Sequence, residues 1–341
     1  MTADRLGLDA AAETRKIAAV LRDQGGRTLR RSGFVVAMSG GVDSSVCTGL
    51  AVAAVGPQHV LGLGLPERES DPRSVALARD WAERLGIEFI VEDITPILAA
   101  CGCYERRDAA VRRLVPEYAP GWRCKLVLDG GGLDSDRLNV CFLAIEEPGQ
   151  DVRKVRLPAR ELREIVAATN FKQRVRTMLA YHHADRLNYA VVGTPNRLEY
   201  DQGFFVKGGD GLADVKPIAH LYKSQVYRLA ETLGVPAAIR ERTPTTDTYS
   251  LPQTQEEFFF ALPLATLDRV LQAWNEGRGA AEVGRELGFR PEQIARTYRD
   301  IDHKRRVTRP LHLTSLLVES VAGVGAGEGG RAAALDRRED A

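Results

Sequence analysis

The chain has 341 residues, 44% of them apolar and 27% charged, enough to bury one large α/β core or one core with a substantial insertion. Its 47 Lys and Arg against 46 Asp and Glu leave a net charge of +1, which gives no bulk attraction to nucleic acid or to an acidic membrane surface. No apolar run approaches the roughly 20 residues of a membrane span, no charged-then-apolar leader opens the sequence, and five cysteines without paired CxxC spacing argue against a disulfide framework or zinc site and for a reducing cytoplasm.

Between residues 8 and 30, Leu8, Ala12, Ile17, Ala18, Val20 and Leu21 recur at helical spacing among charges, which predicts a lid or packing helix with one apolar face. Phe34 to Met38 has the length and branching of a buried parallel strand. It runs into Ser39-Gly40-Gly41-Val42-Asp43-Ser44-Ser45, and Val46 to Val55 reads as a buried helix stopped by Gly56. A glycine-rich turn from strand to helix aims backbone N–H groups and the positive end of a helix dipole at one point, which suits a phosphate. Ser39, Ser44 and Ser45 add hydroxyls at its rim. Asp43 would repel phosphates unless a cation intervened, so it reads as a Mg²⁺ ligand. The bland alternative is a tight connection in which glycine merely permits positive φ; the serines and the aspartate favour the phosphate site. The Gly-Lys-Ser/Thr ending of a Walker loop is absent.

Val60 to Leu65 is the second strand, Pro72 to Leu85 a helix, and Phe89 to Ile94 the third strand. This β-α-β-α-β order with short connections predicts an α/β fold with a doubly wound parallel sheet. From about Leu98 to Ala168 the pattern breaks into charged helical segments (Arg106 to Tyr118), a glycine loop (Asp129 to Gly132) and two β-prone runs (Asn139 to Ile145, Val152 to Leu157) around Pro148-Gly149, which predicts an insertion containing a hairpin. Residues 170–188 return to helix, Ala190 to Gly193 is a fourth strand, and Leu221 to Leu233 a further helix. Thr243 to Pro252 is expected to be a mobile loop, followed by helices to about Tyr298. One domain is expected over residues 1–321, with a disordered tail over 322–341.

Three stretches in the second half fall where the C-terminal edge of such a sheet presents a crevice. In Asn170-Phe171-Lys172-Gln173-Arg174-Val175-Arg176, Lys172 and Arg176 share a helix face, so these cations either meet an anionic ligand or form a solvated basic face. Gly193-Thr194-Pro195-Asn196-Arg197-Leu198-Glu199 follows a strand directly, and Glu199 is a hard oxygen donor able to share Mg²⁺ with Asp43. It continues into Gly203 to Gly211, where glycines mix with Lys207 and Asp210 in a shaped loop. The third stretch, Leu221 to Val226, starts a helix with Lys223 and is followed by Thr243-Pro244-Thr245-Thr246-Asp247.

The Ser-Gly-Gly-x-Asp-Ser turn resembles the pyrophosphate loop of the N-type ATP pyrophosphatases. Together with Asn-x-Lys-x-Arg-x-Arg, Val-x-Gly-Thr-x-x-x-x-Glu, Gly-x-Phe-x-Lys-x-Gly-Asp, Leu-x-Lys-x-Gln-Val, Pro-Thr-x-Asp and a closing His303-Lys304-Arg305-Arg306, it resembles the NAD synthetase family over about Phe34 to Pro96 and Asn170 to Pro310. By that resemblance Ser39, Gly40, Gly41, Asp43, Ser44 and Ser45 hold the phosphates of ATP, Asp43 and Glu199 bind Mg²⁺, and Thr194 and Arg174 contact ATP. Lys223 and Thr245 would hold its phosphates. Lys172, Lys207, Asp210 and Asp247 would face the acid substrate. The long 98–168 connection and Thr246, where the family carries a small Ala, depart from the pattern near the acid's expected position.

The resemblance implies an ATP-dependent amide ligase, most closely an ammonia-dependent NAD synthetase acting on nicotinic acid adenine dinucleotide, cytoplasmic and homodimeric. Asp43, Lys223 and Asp210 would be its catalytic residues. Nothing precedes the lead-in helix that reads as a glutaminase, so free ammonia or a separate glutaminase would supply nitrogen. The rivals are a sibling ligase amidating a different acid and a nucleotide-binding regulator without turnover. The carboxylate pair and Lys223 argue against the regulator, since a sensor has no use for leaving-group stabilisation. His182-His183 reads as a surface or packing pair rather than a catalytic base, and Cys101-Gly102-Cys103 lacks partner ligands.

Overall fold

The structure, a computed structural model, describes residues 6–129, 140–243, 248–254 and 263–321. After helix α1 (Ala10–Asp23), capped by Asp9 through the N–H of Ala12, strand β1 (Phe34–Ala37) leads into α2 (Val42–Val55). Then come β2 (Val60–Gly64), α3 (Pro72–Leu85) with Asp71 as N-cap and Pro72 in its first turn, and β3 (Glu88–Val91). The third strand stops at Val91, short of the expected Ile94, because Asp93 accepts the N–H of Thr95 at 2.8 Å and starts α4 (Thr95–Ala100).

Beyond α4 lies α5 (Cys103–Arg112), then a three-stranded antiparallel sheet of β4 (Arg123–Asp129), β5 (Val140–Glu146) and β6 (Arg153–Arg156). The hairpin expected around Pro148-Gly149 joins β5 to β6; β4 was not anticipated, although Cys124 and Leu126 alternate inward with Arg123 and Lys125. Register pairs Cys124 with Ile145 and Leu126 with Leu143, and this face packs on Ala110, Val111, Tyr118 and Ile165 in a core of its own. Helix α6 runs Ala159–Leu187, starting at Ala159 rather than Asn170, so its first half roofs the insertion and its second half the main sheet.

Strand β7 (Ala190–Val192) completes a parallel sheet in the order β3-β2-β1-β7. Period-two alternation divides even these fully buried strands: Phe34 and Val36 enter one core with α1, α2 and α3, whereas Val35, Leu61 and Leu63 enter another with α4, α5 and α6. Helices α7 (Arg197–Gln202), α8 (Lys223–Thr232) and α9 (Ala237–Arg240) follow. The chain then turns through α10 (Leu264–Asn275), α11 (Ala280–Leu287) and α12 (Pro291–His312), which bury Leu267, Leu271, Val283, Ile294 and Ile301 with Leu198 of α7. The final helix extends well past the expected Tyr298. Thr245, Asp247 and the 322–341 tail lie outside the described residues. Among the described residues no helix is long and apolar enough to cross a membrane.

A buried charge network joins the sheet to the insertion. After β2, Glu67 and Glu69 turn inward; Lys172 Nζ of α6 lies 2.7 Å from each and donates to Thr248 O, also at 2.7 Å. Arg107 of α5 reaches both oxygens of Glu69, at 2.8 and 2.7 Å, and Tyr104 donates to Glu67 at 2.7 Å. Lys172 is fully buried and Arg107 nearly so. Removing one partner from such a cluster leaves desolvated charge uncompensated. Lys172→Met is therefore expected to cost about 3 kcal/mol or more of folding stability, read as a lower midpoint in urea unfolding; a loss under about 1 kcal/mol would show that the glutamates find other partners.

Candidate active site

Gly41 is the N-cap of α2 and offers no side chain to its first turn, so the N-terminus of the helix is left facing the crevice without a cap. The expected turn thus supplies the first residues of the helix itself, which begins at Val42 rather than Val46. Gly40 sits at φ +70°, and a Cβ there would lie 2.4 Å from the carbonyl oxygen of Ser74, so only glycine lets α3 approach the turn this closely. The serines brace the turn: Ser39 and Ser44 hydroxyls lie 3.2 Å apart, and Ser44 and Ser45 donate to Gly41 O at 3.1 and 2.9 Å. Trp81 of α3 donates its indole N–H to Ser45 O at 2.9 Å and fixes the helix behind the turn.

Beside this cradle stand the acidic pair. Strands β1 and β7 are neighbours, with Val36 opposite Val192, so the loop after β7 runs past the loop after β1. Asn196 caps α7 reciprocally with Glu199: its Oδ1 accepts the Glu199 N–H at 3.2 Å, and Glu199 Oε2 accepts the Asn196 N–H at 3.0 Å. The Asn196 amide also donates to Asp43 Oδ1 at 3.2 Å, which ties the two carboxylates together. Lys223, the first residue of α8, forms an ion pair with Asp43 Oδ2 and is 2% exposed. Burial works against its ammonium, but Asp43 and Glu199 more than offset this and hold its pKa above the ordinary lysine value.

Ser39, Gly41, Asp43, Ser44, Arg174, Thr194, Glu199, Lys207, Asp210 and Lys223 border one cavity of about 610 Å³. Of the other expected residues, Gly40 and Ser45 shape the turn without bordering the cavity, and Lys172, expected at the substrate, lies in the buried network behind it. Lys207 borders the cavity, but its ammonium donates to the carbonyls of Pro310, at 2.9 Å, and Leu313, at 3.3 Å, at the end of α12. Asp210 accepts the Val206 N–H at 2.7 Å. Burial raises its carboxyl to about 6, against the pull of backbone N–H groups and Arg176.

Asn196, which stands behind the cavity, and Arg242, which borders it, were given no role from sequence, and Arg176, read as one of two cations for an anion or a solvated face, borders it too. Asn196 was legible as an Asn-x-x-Glu cap; Arg176, donating to Leu65 O at 3.1 Å, and Arg242, reaching Asp71 at 3.2 Å and Ser74 at 3.0 Å, gave no local signal of their partners. Thr248 to Pro252, part of the loop expected to be mobile from Thr243, is instead held: Ser250 accepts the Cys124 N–H at 2.9 Å, Leu251 donates to Cys124 O at 3.2 Å, and Tyr249 is buried in the insertion's core. His183 meets Glu92 at 2.5 Å and accepts from Arg186 at 2.9 Å, in keeping with a packing role.

Among the described residues no group of three or more His, Cys, Asp or Glu side chains is arranged for a metal ion. Two hard oxygen donors bordering a phosphate cradle nevertheless match Mg²⁺, which typically draws its remaining ligands from substrate phosphates and water.

A parallel sheet with a glycine turn, a bare helix N-terminus and this acidic pair at its C-terminal edge makes an α/β protein whose crevice suits a phosphate, consistent with the adenine nucleotide alpha hydrolase-like fold. Residues 13–114 and 139–308 match the model of the NAD synthase family, and the chain belongs to that family. It is 52% identical over 321 residues to the NH(3)-dependent NAD(+) synthetase of Rhizobium rhizogenes, covering 94% of this chain and 96% of that one. To the enzyme of the same name from Rhizobium meliloti it is 55% identical over 320 residues, covering 94% and 95%. Among solved structures it resembles an NMN synthetase from Francisella tularensis (TM-score 0.59, 23% identity, 92% of this chain, 100% of that one). It also resembles the NH3-dependent NAD synthetase of Campylobacter jejuni (TM-score 0.59, 18% identity, 92% and 100%). A glutamine-dependent NAD+ synthetase from Acinetobacter baumannii matches with a TM-score of 0.51 at 19% identity, over 94% of this chain and 49% of that longer one.

Asp210 sets a pH dependence whose sign follows from its raised pKa. Between the ordinary 3.8 and about 6 the folded chain holds a proton that the unfolded chain has released. The stability this contributes is fully present below 3.8 and lost as pH rises through about 6. Asp210→Asn is expected to flatten this part of the stability–pH curve in chemical denaturation, and to delete a carboxyl resonance titrating near 6 in ¹³C NMR. A wild-type midpoint near 4 would place Asp210 in water.

Proposed function

We propose that the chain is an ammonia-dependent NAD synthetase, which adenylates the carboxylate of nicotinic acid adenine dinucleotide with ATP and displaces AMP with ammonia. The observation that carries this reading is the convergence of Asp43, Glu199 and Lys223 on the glycine cradle within one cavity. The relatives named for the ammonia-dependent reaction support it, at 52% and 55% identity over nearly their whole length.

A carboxylate is a poor electrophile with a poor leaving group, and transfer of AMP remedies both. The substrate carboxylate attacks the α-phosphorus, forming an O–P bond as the P–O bond to pyrophosphate breaks. The N–H groups of the glycine turn and the Lys223 ammonium bind the departing pyrophosphate and neutralise its charge. Asp43 and Glu199 would hold Mg²⁺, whose chemistry when bound is charge neutralisation on the phosphate oxygens. No protein nucleophile is needed. Ammonia then attacks the acyl carbon and AMP leaves. At neutral pH the Asp210 carboxyl, with a pKa of about 6, is mostly ionised, so it can bind ammonium and take its proton. Arg174 and Thr194 border the same cavity and serve to orient the nucleotides, while Lys207, whose ammonium is held by the end of α12, shapes its wall. We place the enzyme in the cytoplasm, where its five unpaired cysteines would stay reduced, working as the homodimer usual for its family.

A second acid is the runner-up, because an enzyme named NMN synthetase shares this fold. Pyrophosphate release with ATP, Mg²⁺ and ammonium, measured against acids that include nicotinic acid adenine dinucleotide and nicotinic acid mononucleotide, separates the two. The dinucleotide is expected to give the highest kcat/KM. Asp43→Asn is expected to lower pyrophosphate release by at least about 10²-fold in a chain that still folds and melts cooperatively, and undiminished turnover would remove Asp43 from the mechanism.

A further inference from the structure

Lys223 occupies the first position of α8, where the helix dipole opposes a cation. Its own segment does little to correct this: Tyr222 gives the first turn no side-chain cap, and Gln225 Oε1 reaches back only to the Tyr222 N–H, at 3.0 Å. The missing acceptor comes from α10, 45 residues further along the chain. Asp268 Oδ1 accepts the Lys223 N–H at 3.2 Å, and Oδ2 accepts both the N–H and the hydroxyl of Ser224 at 2.8 Å. Asp268 is fully buried, does not border the cavity, and lies among Leu267, Val270 and Leu271 on the core face of its helix.

A carboxylate on an otherwise apolar face is expensive to bury unless its charge is met. Here it is met by the N-terminus of α8, and in return it offsets the dipole that would repel the Lys223 ammonium. The backbone of Lys223 is thus gripped from one side by Asp268 while its side chain is gripped from the other by Asp43. We propose that Asp268 is a positioning residue for adenylation, fixing the N-terminus of α8 so that Lys223 is presented to the phosphate cradle. This deepens the reaction assigned above and rests on it for the identity of the step.

The test combines nucleotide affinity, measured calorimetrically with a non-hydrolysable ATP analogue and Mg²⁺, with pyrophosphate release in the presence of the acid. Asp268→Asn keeps size but replaces one acceptor oxygen by a donor that faces N–H groups. It is expected to weaken nucleotide binding about tenfold, and Asp268→Ala to slow pyrophosphate release about 100-fold, while KM for the acid stays within about twofold of wild type. In a Lys223→Met background, Asp268→Asn is expected to add less than about twofold, because its effect passes through Lys223. Fully additive losses, an equal rise in KM for the acid, or undiminished nucleotide affinity in Asp268→Asn would each overturn the proposal. If Asp268→Ala shows no cooperative melt, Asp268→Asn and Ser224→Ala decide the question. If the wild-type chain releases no pyrophosphate with any acid tried, the assigned reaction fails, and the affinity measurements still decide the role of Asp268.

Discussion

One buried ammonium, meeting a carboxylate 180 residues away in sequence, is the contact on which the site depends. Lys223 and Asp43 can pair only because α2 and α8 share a core in which Val46 and Leu50 pack with Val226, Leu229 and Ala230. The pair also needs strand order. The chain winds from β1 through β2 to β3 on one side, then returns to lay β7 on the other flank of β1. At that reversal of strand order a crevice opens above the C-terminal ends of the strands. The first turn of α2, with Asp43, and the first turn of α7, with Glu199, meet at its edge, with Asn196 bonded to both acids.

What the sequence discloses and what it hides follow from the range of the interactions. The strand from Phe34, the glycine turn and α3 depend on neighbours within a few positions: apolar runs, glycines at the turn, and an Asp71-Pro72 start. They fall where local chemistry places them. Lys172 and Lys207 are different. Their charges look available in the sequence, yet Lys172 is claimed by Glu67 and Glu69, about a hundred positions earlier, and Lys207 by carbonyls at the end of α12. Nothing local distinguishes a cation kept for a ligand from one spent on the fold. Asp268 errs the opposite way: an acid among Leu267, Val270 and Leu271 looks like an interruption of a core stripe until the N-terminus of α8 is seen against it. Strand β4 was passed over because its alternation is short and flanked by charge, and its pairing with β5 spans the glycine-rich connection.

The cations around the cavity share a further property. Arg174 donates to Lys207 O at 3.3 Å, Arg176 to Leu65 O at 3.1 Å, and Arg242 to Asp71 and Ser74. Long flexible side chains lose up to about 2 kcal/mol of rotamer freedom when fixed, and here much of that ordering is already present in the fold. A polyanionic ligand therefore meets donors held in place, and its binding energy is available for the reacting atoms.

The same reasoning gives the insertion a physical role. Arg242 is tied to Asp71 and Ser74 beside the cradle, and the carbonyl of Thr248 receives the buried Lys172. From there Ser250 and Leu251 pair with Cys124, and Gln253 donates to Leu126 O, both on β4. One anchor belongs to the nucleotide-binding sheet and the other to the added sheet, and the Glu67, Glu69, Lys172 and Arg107 network locks the two together. The added sheet thus fixes the position of a segment at the rim of the cavity, where Thr248 and Tyr249 are part of the wall. A three-stranded sheet with a core of its own is a rigid support for this segment, because its side chains are locked by packing that does not depend on a ligand.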